Sequence, residues 1–364
     1  MQTLMVHPWG IGQTLRGFKM AKKINYVMWC GFSGSGSSAV GDLLREFDHT
    51  FECGKEIRFI KDPYGIYDLE QHLIDHWELI NSLAAIHDFI RMSKIWGRYG
   101  DGPLCPPGLS YKKHINKNYY AISKKYIDRI SLFEFKREFY TTKFKKNYFK
   151  YVIDRNRAYI ERKTKGKIKL ANRHITPNHF AVPTKEEFYA ATRDYIDELF
   201  LPHVGEEGNE NTILLDQPLS PNNIDCLYHY FRDAKMIIVD RDPRDIYVEK
   251  FEWGLHIDKE SGTVKDGMHF AEFMKGLHRY MKLPSPNVLY IRFEDLVLHY
   301  NETKAKILEF VGFDEKDHLY PSKYFNPEIS KQNVGRWKRY ADKYADALNY
   351  LRDALPNQCY NPEK

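Results

Sequence analysis

The sequence has few cysteines and no long apolar stretch, and each absence excludes a class of protein. Its five cysteines lie far apart and form no Cys-x-x-Cys pair, so we expect reduced thiols rather than a zinc ribbon or a disulfide framework. No stretch approaches the ~18 consecutive apolar residues of a membrane span. The N-terminal segment lacks the continuous apolar core of a signal peptide. These features predict a cytoplasmic protein without a membrane span.

Positive charge is in only slight excess, and the excess is concentrated in one segment. The 364 residues include 55 Lys+Arg and 49 Asp+Glu, a net charge of +6, which is too small for a general polyanion binder if it is spread evenly. Residues 111–180, however, hold 20 Lys+Arg and five Asp+Glu, so the rest of the chain has a net charge of −9. The basic character therefore belongs to one insertion.

Apolar, β-rich runs alternate with helix-like segments along the chain. The runs cover residues 24–30, 212–216, 235–240 and 288–293. Apolar spacing and capping residues predict helices over about 39–47, 222–231 and 302–311. This alternation predicts an α/β fold with a mostly parallel central sheet flanked by helices, in three layers like those of P-loop proteins.

The length allows one large domain or two ordinary ones, at about 150 residues per domain. We predict a single α/β domain over residues 23–364, after a possible N-terminal extension at residues 1–22. A mainly helical insertion is expected over about residues 61–210. Its basic segment, residues 111–180, contains eight tyrosines, a composition suited to stacking on sugar rings or on bases. A solvated helical face is the alternative interpretation.

A loop rich in glycine and serine, Gly31-Phe-Ser-Gly-Ser-Gly-Ser-Ser38, follows the first strand. Between a buried strand and a helix, such a loop lets backbone N–H groups converge on a phosphate or sulfate, so anion binding is the first hypothesis. A flexible turn with helix-capping serines is the alternative. The pattern nearly matches the P-loop GxxxxGK[ST], but Ser37 replaces the lysine, which weakens an interpretation as a kinase.

Two basic motifs follow later in the chain. Arg241 and Arg244 come directly after the predicted strand 235–240, at the edge where open α/β sheets bind ligands. The segment Gly335-Arg336-Trp337 has the composition of a loop that covers a nucleotide. Each motif has a structural alternative. The first could be an Asp/Arg network that caps a turn, and the second could be the start of a basic surface helix.

The three motifs in this order, together with Phe293-Glu-Asp-Leu296, resemble the sulfotransferase family, which moves a sulfuryl group from 3′-phosphoadenosine 5′-phosphosulfate (PAPS) to an acceptor. The resemblance implies a PAPS donor and no metal. It assigns the 5′-phosphosulfate to the glycine loop and the 3′-phosphate end to the two basic motifs. The cofactor-binding residues implied in this way are Gly34, Ser35, Gly36, Ser37, Ser38, Arg241, Arg244, Gly335, Arg336 and Trp337.

The resemblance also implies a catalytic base. In the glycan-modifying branch of the family, an acidic residue beyond the first helix deprotonates the acceptor hydroxyl, and Glu56 stands in the matching place. A surface ion pair of Glu56 with Lys55 or Arg58 is the alternative. Because the family usually carries Lys or Arg where this chain has Gly34, another cation is expected to stabilise the leaving phosphate.

The candidates for that cation are Lys61, Lys55 and Arg58. A second departure is Glu249, which occupies the position of a family serine eight residues after Arg241 and is a poor neighbour for an anionic donor. We expect either Arg244 and the Gly335 loop to hold the 3′-phosphate, or the site for it to differ.

The expected function is sulfuryl transfer to a hydroxyl of a glycan or another cytosolic acceptor, with Glu56, Lys61 and Arg58 as catalytic residues. A P-loop-type kinase is the first alternative and predicts a need for ATP and Mg²⁺. A nucleic-acid-binding protein that uses the basic insertion is the second, and it predicts steep salt dependence. No recognition motif for nucleic acid is present, so we expect no such partner. His256 is the alternative candidate for the catalytic base if Glu56 does not have this role.

Overall fold

The computed structural model describes residues 24–100, 107–136, 148–168, 177–205, 211–252, 262–281 and 285–361. The strands, in chain order, are β1 (Tyr26–Gly31), β2 (Thr50–Glu56), β3 (Phe133–Lys136), β4 (Pro177–Phe180), β5 (Thr212–Asp216), β6 (Ala234–Asp240) and β7 (Val288–Arg292). The predicted N-terminal extension and His256 lie outside the described residues.

Five of these strands form one parallel sheet in the order β2-β5-β1-β6-β7. Alternate residues of β1 point to opposite layers, because Val27 and Trp29 belong to one core cluster and Tyr26 and Met28 to another. Since helices cover both faces, the inner strands are apolar throughout instead of alternating with polar residues. The predicted α/β class, with a mostly parallel sheet flanked by helices, is confirmed.

The helices vary from one turn to five turns in length. They are α1 (Ser38–Leu44), α2 (Ile66–Glu70), α3 (Leu79–Trp96), α4 (Tyr111–His114), α5 (Tyr119–Ile130), α6 (Tyr148–Lys163), α7 (Lys185–Phe200), α8 (Cys226–Tyr230), α9 (Pro243–Glu252), α10 (Val264–Arg279), α11 (Phe293–Leu298), α12 (Tyr300–Val311), α13 (Pro327–Ser330) and α14 (Ala345–Ala354). In the described part of the chain, no helix combines the length and apolar character needed to cross a bilayer.

The helices beside the sheet follow local signals, with one difference. α12 ends at Gly312, which has a φ of +80° and closes the helix as predicted. The helix predicted over 222–231 is shorter and covers only Cys226–Tyr230. The side-chain oxygen of Asn223 accepts hydrogen bonds from the backbone N–H and hydroxyl of Ser220, at 2.8 and 2.9 Å. These bonds hold a turn that competes with the first turn of the helix.

The segment between β2 and β5 is mainly helical, as predicted, and it packs on one face of the sheet. Phe89 of α3, Tyr126 of α5 and Phe188 of α7 lie in the same core cluster as Tyr26 and Met28 of β1. One continuous core therefore joins the insertion to the sheet. The antiparallel pair of β3 and β4 and the edge strand β2 differ from the sequence prediction. Polar residues in β2 give it no continuous apolar run.

The opposite face carries α1, α11 and α12, and a third cluster joins α9, α10 and α14. A Cβ at Gly267 of α10 would lie 2.8 Å from the Cα of Ala347 in α14, so glycine permits the close approach of these helices. A 3₁₀ turn at Arg336–Tyr340 leads into α14 and contacts α9. This packing sets the C-terminal turn beside the basic turn after β6.

Candidate active site

Polar residues at the ends of the strands lie along one edge of the central sheet. Its five strands run in the same direction, so their carboxyl ends meet at the edge where open α/β sheets bind ligands. Gly31 ends β1, Glu56 ends β2, Asp216 ends β5 and Asp240 ends β6. Glu56 and Asp216 are paired in the register of β2 and β5. The glycine loop, Glu56 and the turn after β6 therefore share this edge.

The glycine loop joins β1 to α1 and contains two left-handed residues. Gly34 and Gly36 have φ values of +86° and +78°, a region that L side chains rarely adopt. A Cβ at Gly36 would lie 2.6 Å from the ring of Phe293. The backbone N–H groups of Gly36, Ser37 and Ser38 donate to no group in the described part of the chain. These donors are suited to an anion.

The same loop geometry disfavours a basic side chain at Gly34. A side chain at Gly34 would adopt a strained backbone conformation, and its Cβ would lie 3.2 Å from Ile246. Ser35 is buried inside the turn, where a Cβ at Gly31 would approach its Oγ to 2.0 Å. Ser35 therefore shapes the loop, and the lysine or arginine that the family resemblance leads us to expect at Gly34 would be strained in this conformation.

Gln217 links the glycine loop to a half-buried lysine, Lys61. Its side-chain amide donates a hydrogen bond to Oγ of Ser37 at 2.9 Å and accepts one from Nζ of Lys61 at 3.3 Å. Its φ is +54°, and its N–H donates to the carbonyl of Trp29 at 3.0 Å. Burial lowers the pKa of Lys61. Gln217 is not among the site residues predicted from the sequence, although its position directly after the strand 212–216 indicates the ligand-binding end of the sheet.

Glu56 ends β2 with a carboxylate that is about half exposed. It accepts a hydrogen bond from Nη1 of Arg58 at 2.6 Å, and Nε of Arg58 donates to Asp62 at 2.6 Å. The hydroxyl of Tyr111 donates to the carbonyl of Glu56 at 2.6 Å and holds the strand end in place. The ion pair of Glu56 with Arg58 is therefore present. Lys55 precedes Glu56 in the same strand.

Asp216 is a second carboxylate beside Glu56. It ends β5, which lies between β2 and the strand that leads to the glycine loop. Burial raises the pKa of Asp216 to about 6, with smaller contributions from the charges of Glu56 and Glu52. A carboxyl group with such a pKa can exchange a proton near neutral pH. Asp216 is not among the site residues predicted from the sequence, where it appears only as the last residue of a strand.

Arg241 contacts three parts of the site. It is 3% exposed, its Nη1 donates to the carbonyl of Gly34 at 3.0 Å, and the same group pairs with Glu249. Its Nη2 donates to the carbonyl of Asn333 at 2.7 Å. The guanidinium also lies 5.0 Å from the centre of the Phe293 ring. Arg241 therefore connects the glycine loop, α9 and the segment at Asn333 that leads into the C-terminal turn.

Arg244 lies between Asp242 and Trp337. Its Nε and Nη2 donate to the carboxylate of Asp242 at 3.0 and 2.6 Å. Its guanidinium carbon is 4.1 Å from the centre of the Trp337 ring, a cation–π contact. The structure brings these two predicted site residues into contact. It also contains the Asp/Arg network that was the alternative interpretation of this motif.

The turn at Gly335 is capped by Asp245 of α9. The carboxylate of Asp245 accepts hydrogen bonds from the N–H groups of Gly335 at 2.8 Å and Trp337 at 2.9 Å. Gly335 has a φ of +65°, which the turn requires. Burial raises the pKa of Asp245. Arg336 contacts Asn333, with Nη1 at 3.5 Å from Oδ1.

The described residues contain no group of three or more side chains that could hold a metal ion. One histidine contacts the site from α10. His278 places Nε2 3.3 Å from Asp240 and packs its ring against Phe32 of the glycine loop. Burial lowers the pKa of His278, but the hydrogen bond and charge of Asp240 more than offset this, so the pKa is raised overall.

The sequence matches the profile described as the Sulfotransferase family over residues 135–317, half of the chain. The chain belongs to the sulfotransferase family. It is an enzyme of sulfuryl transfer, as the sequence motifs predict. No curated protein matches the sequence.

The family match covers only part of the site of this sulfotransferase. It includes Gln217, Arg241 and Glu249, but it does not reach the glycine loop, Glu56 or the turn at Gly335. The roles of the individual site residues therefore stay predictions.

Several solved structures are similar to this sulfotransferase at low identity. The sulfotransferase domain of the Synechococcus PCC 7002 olefin synthase is 11% identical, with a TM-score of 0.37 and coverage of 91% of this chain and 93% of that domain. Sulfotransferase STF1 from Mycobacterium tuberculosis H37Rv is 13% identical, with a TM-score of 0.35 and coverage of 87% and 78%. Retinol dehydratase in complex with androsterone and the inactive cofactor PAP is 14% identical, with a TM-score of 0.30 and coverage of 93% and 83%.

Proposed function

We propose that this sulfotransferase transfers a sulfuryl group from PAPS to a hydroxyl of a glycan or another acceptor. The proposal is supported chiefly by the contacts that run from Ser37 through Gln217 to Lys61. They place a cation beside the glycine loop, at the sheet edge that also holds Glu56. Sulfuryl transfer requires a cradle for an anion, a cation for the leaving group and a base, and this edge offers a candidate for each.

The 5′ end of PAPS is proposed to bind at the glycine loop. The N–H groups of Gly36, Ser37 and Ser38 have no acceptor among the described residues, so they are available to the phosphosulfate. PAPS supplies the sulfuryl group and leaves as adenosine 3′,5′-bisphosphate (PAP). At the proposed 3′ end, Arg241 and Arg244 are bonded to the carboxylates of Glu249 and Asp242, whereas Arg336 contacts the amide of Asn333.

Lys61 is the proposed cation for the leaving phosphate. Its Nζ is held by Gln217, whose other end is bonded to the glycine loop. Burial lowers the pKa of Lys61, and a bound phosphosulfate would favour its charged form again. Arg58 is less suited to this role, because it is already bonded to the carboxylates of Glu56 and Asp62.

In the proposed step, the acceptor oxygen forms a bond to sulfur while the bond from sulfur to the bridging phosphate oxygen breaks. The electron pair of that bond leaves with the nucleotide, close to Lys61. The hydroxyl proton goes to Glu56, which Arg58 orients through their hydrogen bond. Asp216, whose pKa is raised to about 6, is paired with Glu56 in the register of β2 and β5 and therefore lies beside the proposed base.

The basic insertion is the proposed acceptor-facing part, but several of its tyrosines have another role. Tyr111, Tyr119 and Tyr126 are buried in the core, so they cannot stack on an acceptor. Tyr148 and Tyr159 of α6 are exposed and remain available for this contact. An anionic or amphiphilic glycan fits this basic, aromatic composition, and its affinity is expected to fall as salt is added. An affinity indifferent to ionic strength would contradict charge recognition.

A thermal-shift titration with PAP and with ATP and Mg²⁺ tests the donor class. We expect preferential stabilisation by PAP, because the ligand stabilises the folded chain in proportion to its affinity. Preferential stabilisation by ATP and Mg²⁺ would select the kinase alternative. Binding to RNA that falls steeply with salt and needs no donor would select the nucleic-acid alternative.

Glu56→Gln tests the base. Release of PAP from PAPS in the presence of a panel of glycan hydroxyls is expected to fall by about 100-fold or more, since a general base contributes at least that factor. Stabilisation by PAP is expected to be unchanged. Glu309→Gln, an exposed glutamate of α12, is the matched control. Full turnover in Glu56→Gln would remove Glu56 from the mechanism.

The shared core of sheet and insertion supports a further proposal, that residues 23–364 form a single domain with the insertion at about 61–210. The cytoplasmic location stays a prediction.

A further inference from the structure

Helix α6 of the basic insertion has a continuous apolar side. Successive side chains of a helix are separated by about 100° around its axis, so their spacing assigns each residue of α6 to a side. Six large apolar residues lie within one sector of about 140°. They are Tyr148, Phe149, Val152, Ile153, Tyr159 and Ile160, and the polar residues of the same sector are Asn156 and Lys163. The sequence of α6 is therefore amphipathic.

The apolar side of α6 is also its more exposed side. Tyr148 is 72% exposed, and Ile153 is 50% exposed. Tyr151, Asp154 and Glu161 lie on the opposite side and are less exposed. A surface helix of a globular protein normally turns its apolar side to the core and its charged side to water. In α6 this arrangement is reversed, so the apolar side faces away from the core.

Arginines border the apolar side of α6. Arg155 and Arg162 follow one border and Arg157 follows the other, and all three are exposed. Lys163 extends from the apolar side itself, with Nζ 5.7 Å from the centre of the Tyr159 ring. Long basic side chains of this kind cover apolar surface with their stems and keep their charges at the rim.

The turn after α6 continues the same composition. Gly166 has a φ of +80° and turns the chain, and Lys165 and Lys167 are exposed on either side of it. Ile168 follows and is 47% exposed. Residues 148–168 together include seven Lys+Arg and two Asp+Glu, a net charge of +5. The exposed apolar side is therefore surrounded by positive charge.

This combination fits the surface of an anionic bilayer. A helix at a membrane interface buries an apolar side with Tyr, Phe and aliphatic residues and keeps Lys and Arg at the headgroups. A second copy of this chain would bring together two segments that each have a net charge of +5, and like charges repel. A protein groove that encloses the helix would also have to cover Asp154 and Glu161. A flat surface contacts the apolar side alone.

We infer that the apolar side of α6 docks this sulfotransferase on the surface of a bilayer that contains anionic lipids. The 16 residues of α6 lie in the plane of the interface over a length of about 24 Å. Docking needs neither PAPS nor an acceptor, so the inference goes beyond the proposed function. It brings the basic insertion to a surface at which amphiphilic molecules collect.

Sedimentation of the full chain with lipid vesicles measures the docking. We expect the affinity for vesicles of phosphatidylcholine with phosphatidylserine to exceed that for phosphatidylcholine alone by about tenfold or more, because each exposed Lys or Arg gains attraction only from the anionic surface. Added salt should reduce the difference. Absence of binding, or equal binding to both vesicles, overturns the inference. The proposed function is unaffected by either result, because the vesicles contain no donor and no acceptor.

Variants of α6 test which side of the helix docks. The double variant Ile153→Gln and Ile160→Gln should lower the affinity for anionic vesicles by about tenfold or more, because apolar side chains no longer enter the interface. The double variant Arg155→Gln and Arg162→Gln should lower it by a similar factor on anionic vesicles and leave binding to phosphatidylcholine unchanged. If the isoleucine variant is unstable, Tyr148→Gln takes its place.

Two exposed residues of other helices give matched controls. Ile329→Gln changes an isoleucine of α13 that is 64% exposed, and Arg279→Gln changes an exposed arginine of α10. Both should bind vesicles as the wild type does. Equal loss of binding in a control and in the corresponding α6 variant would overturn the assignment to α6.

Two other results would assign the face to a different partner and overturn the inference. The first is a dimer of the wild type that sedimentation equilibrium detects without vesicles and that the isoleucine variant loses, which indicates a second copy of the chain. The second is binding of heparin that depends on Arg155 and Arg162, together with vesicle binding that the isoleucine variant retains in full. That result indicates recognition of an anionic glycan by charge alone.

Discussion

Gln217 donates a hydrogen bond to the hydroxyl of Ser37 at 2.9 Å and accepts one from the ammonium of Lys61 at 3.3 Å. It does so from a left-handed backbone conformation with a φ of +54°. A residue other than glycine adopts this conformation only where its surroundings hold it there. In the proposed mechanism, Gln217 is therefore a positioning residue, which holds the ammonium of Lys61 beside the glycine loop.

Removal of Lys61 is expected to impair turnover more than removal of Lys55. Lys61→Met should lower kcat by about 100-fold, the usual scale for losing one group that stabilises developing charge. Gln217→Leu should lower kcat by a smaller factor. The double variant should have nearly the same kcat as Lys61→Met alone, because both changes act through the same ammonium. Steady-state rates with PAPS measure these effects. A larger loss in Lys55→Met would assign the cation to Lys55.

A methyl group at Gly36 is expected to block donor binding. In Gly36→Ala the new Cβ would lie 2.6 Å from the Phe293 ring, at a φ of +78°. Gly54→Ala is a matched control, because it has a φ of +66° but nothing within 4 Å of its Cβ. The control should lose only about 1 kcal/mol of stability from backbone strain. Stabilisation by PAP, measured by thermal shift, should disappear in Gly36→Ala and persist in Gly54→Ala.

Asp216 is expected to make the protein less stable as the pH rises. Its folded pKa of about 6 is above the ordinary value of 3.8, because burial disfavours the charged form. Its contribution to stability is therefore complete below about pH 4 and is lost as the pH rises through 6, for a total of up to ~3 kcal/mol. Asp216→Asn should remove this part of the pH dependence in urea unfolding at pH 4.5 and 7.5.

Two comparisons make the Asp216 experiment specific. Burial also raises the pKa of Glu294 to about 7, which adds to the pH dependence of stability in both the wild type and Asp216→Asn. The contribution of Asp216 is therefore the difference between the two pH profiles. Asp346→Asn changes an exposed carboxylate of α14 and should keep the pH dependence of the wild type. An unchanged profile in Asp216→Asn would contradict the raised pKa.

Glu46 is expected to be essential for the stability of the loop at residues 318–325. Its fully buried carboxylate accepts hydrogen bonds from the N–H groups of Ser322, Tyr324 and Phe325, and it lies 2.8 Å from Nε2 of His318. Glu46→Leu leaves these donors buried without an acceptor and should lower the free energy of unfolding by about 3–5 kcal/mol. Urea denaturation measures the loss, which Glu46→Gln should reduce by keeping one acceptor oxygen. Equal stability of Glu46→Leu and wild type would contradict this assignment.

Much of the fold could be predicted because its signals are local. The three inner strands, β5, β1 and β6, are buried on both faces and the edge strand β7 is partly buried, so each appears as a short, largely apolar run. Gly312 ends α12 for reasons contained within a single turn of helix. The edge strand β2 was not predicted, because it is partly exposed and its residues Glu52, Lys55 and Glu56 interrupt any apolar run. The helix before β6 was predicted too long, because the contact of Asn223 with Ser220 competes with helix formation.

The sequence by itself determined the order of strands and helices, the glycine loop after β1 and the basic motifs after later strands, since each depends on residues a few positions apart. Only the tertiary structure decided what those residues bind. The order β2-β5-β1-β6-β7 places Gln217 beside Ser37, 180 positions away, and beside Lys61, 156 positions away. Packing of α9 against the C-terminal turn directs Asp245 to the N–H groups at Gly335. Contacts of this kind depend on strand order and helix packing, which no local spacing of residues encodes.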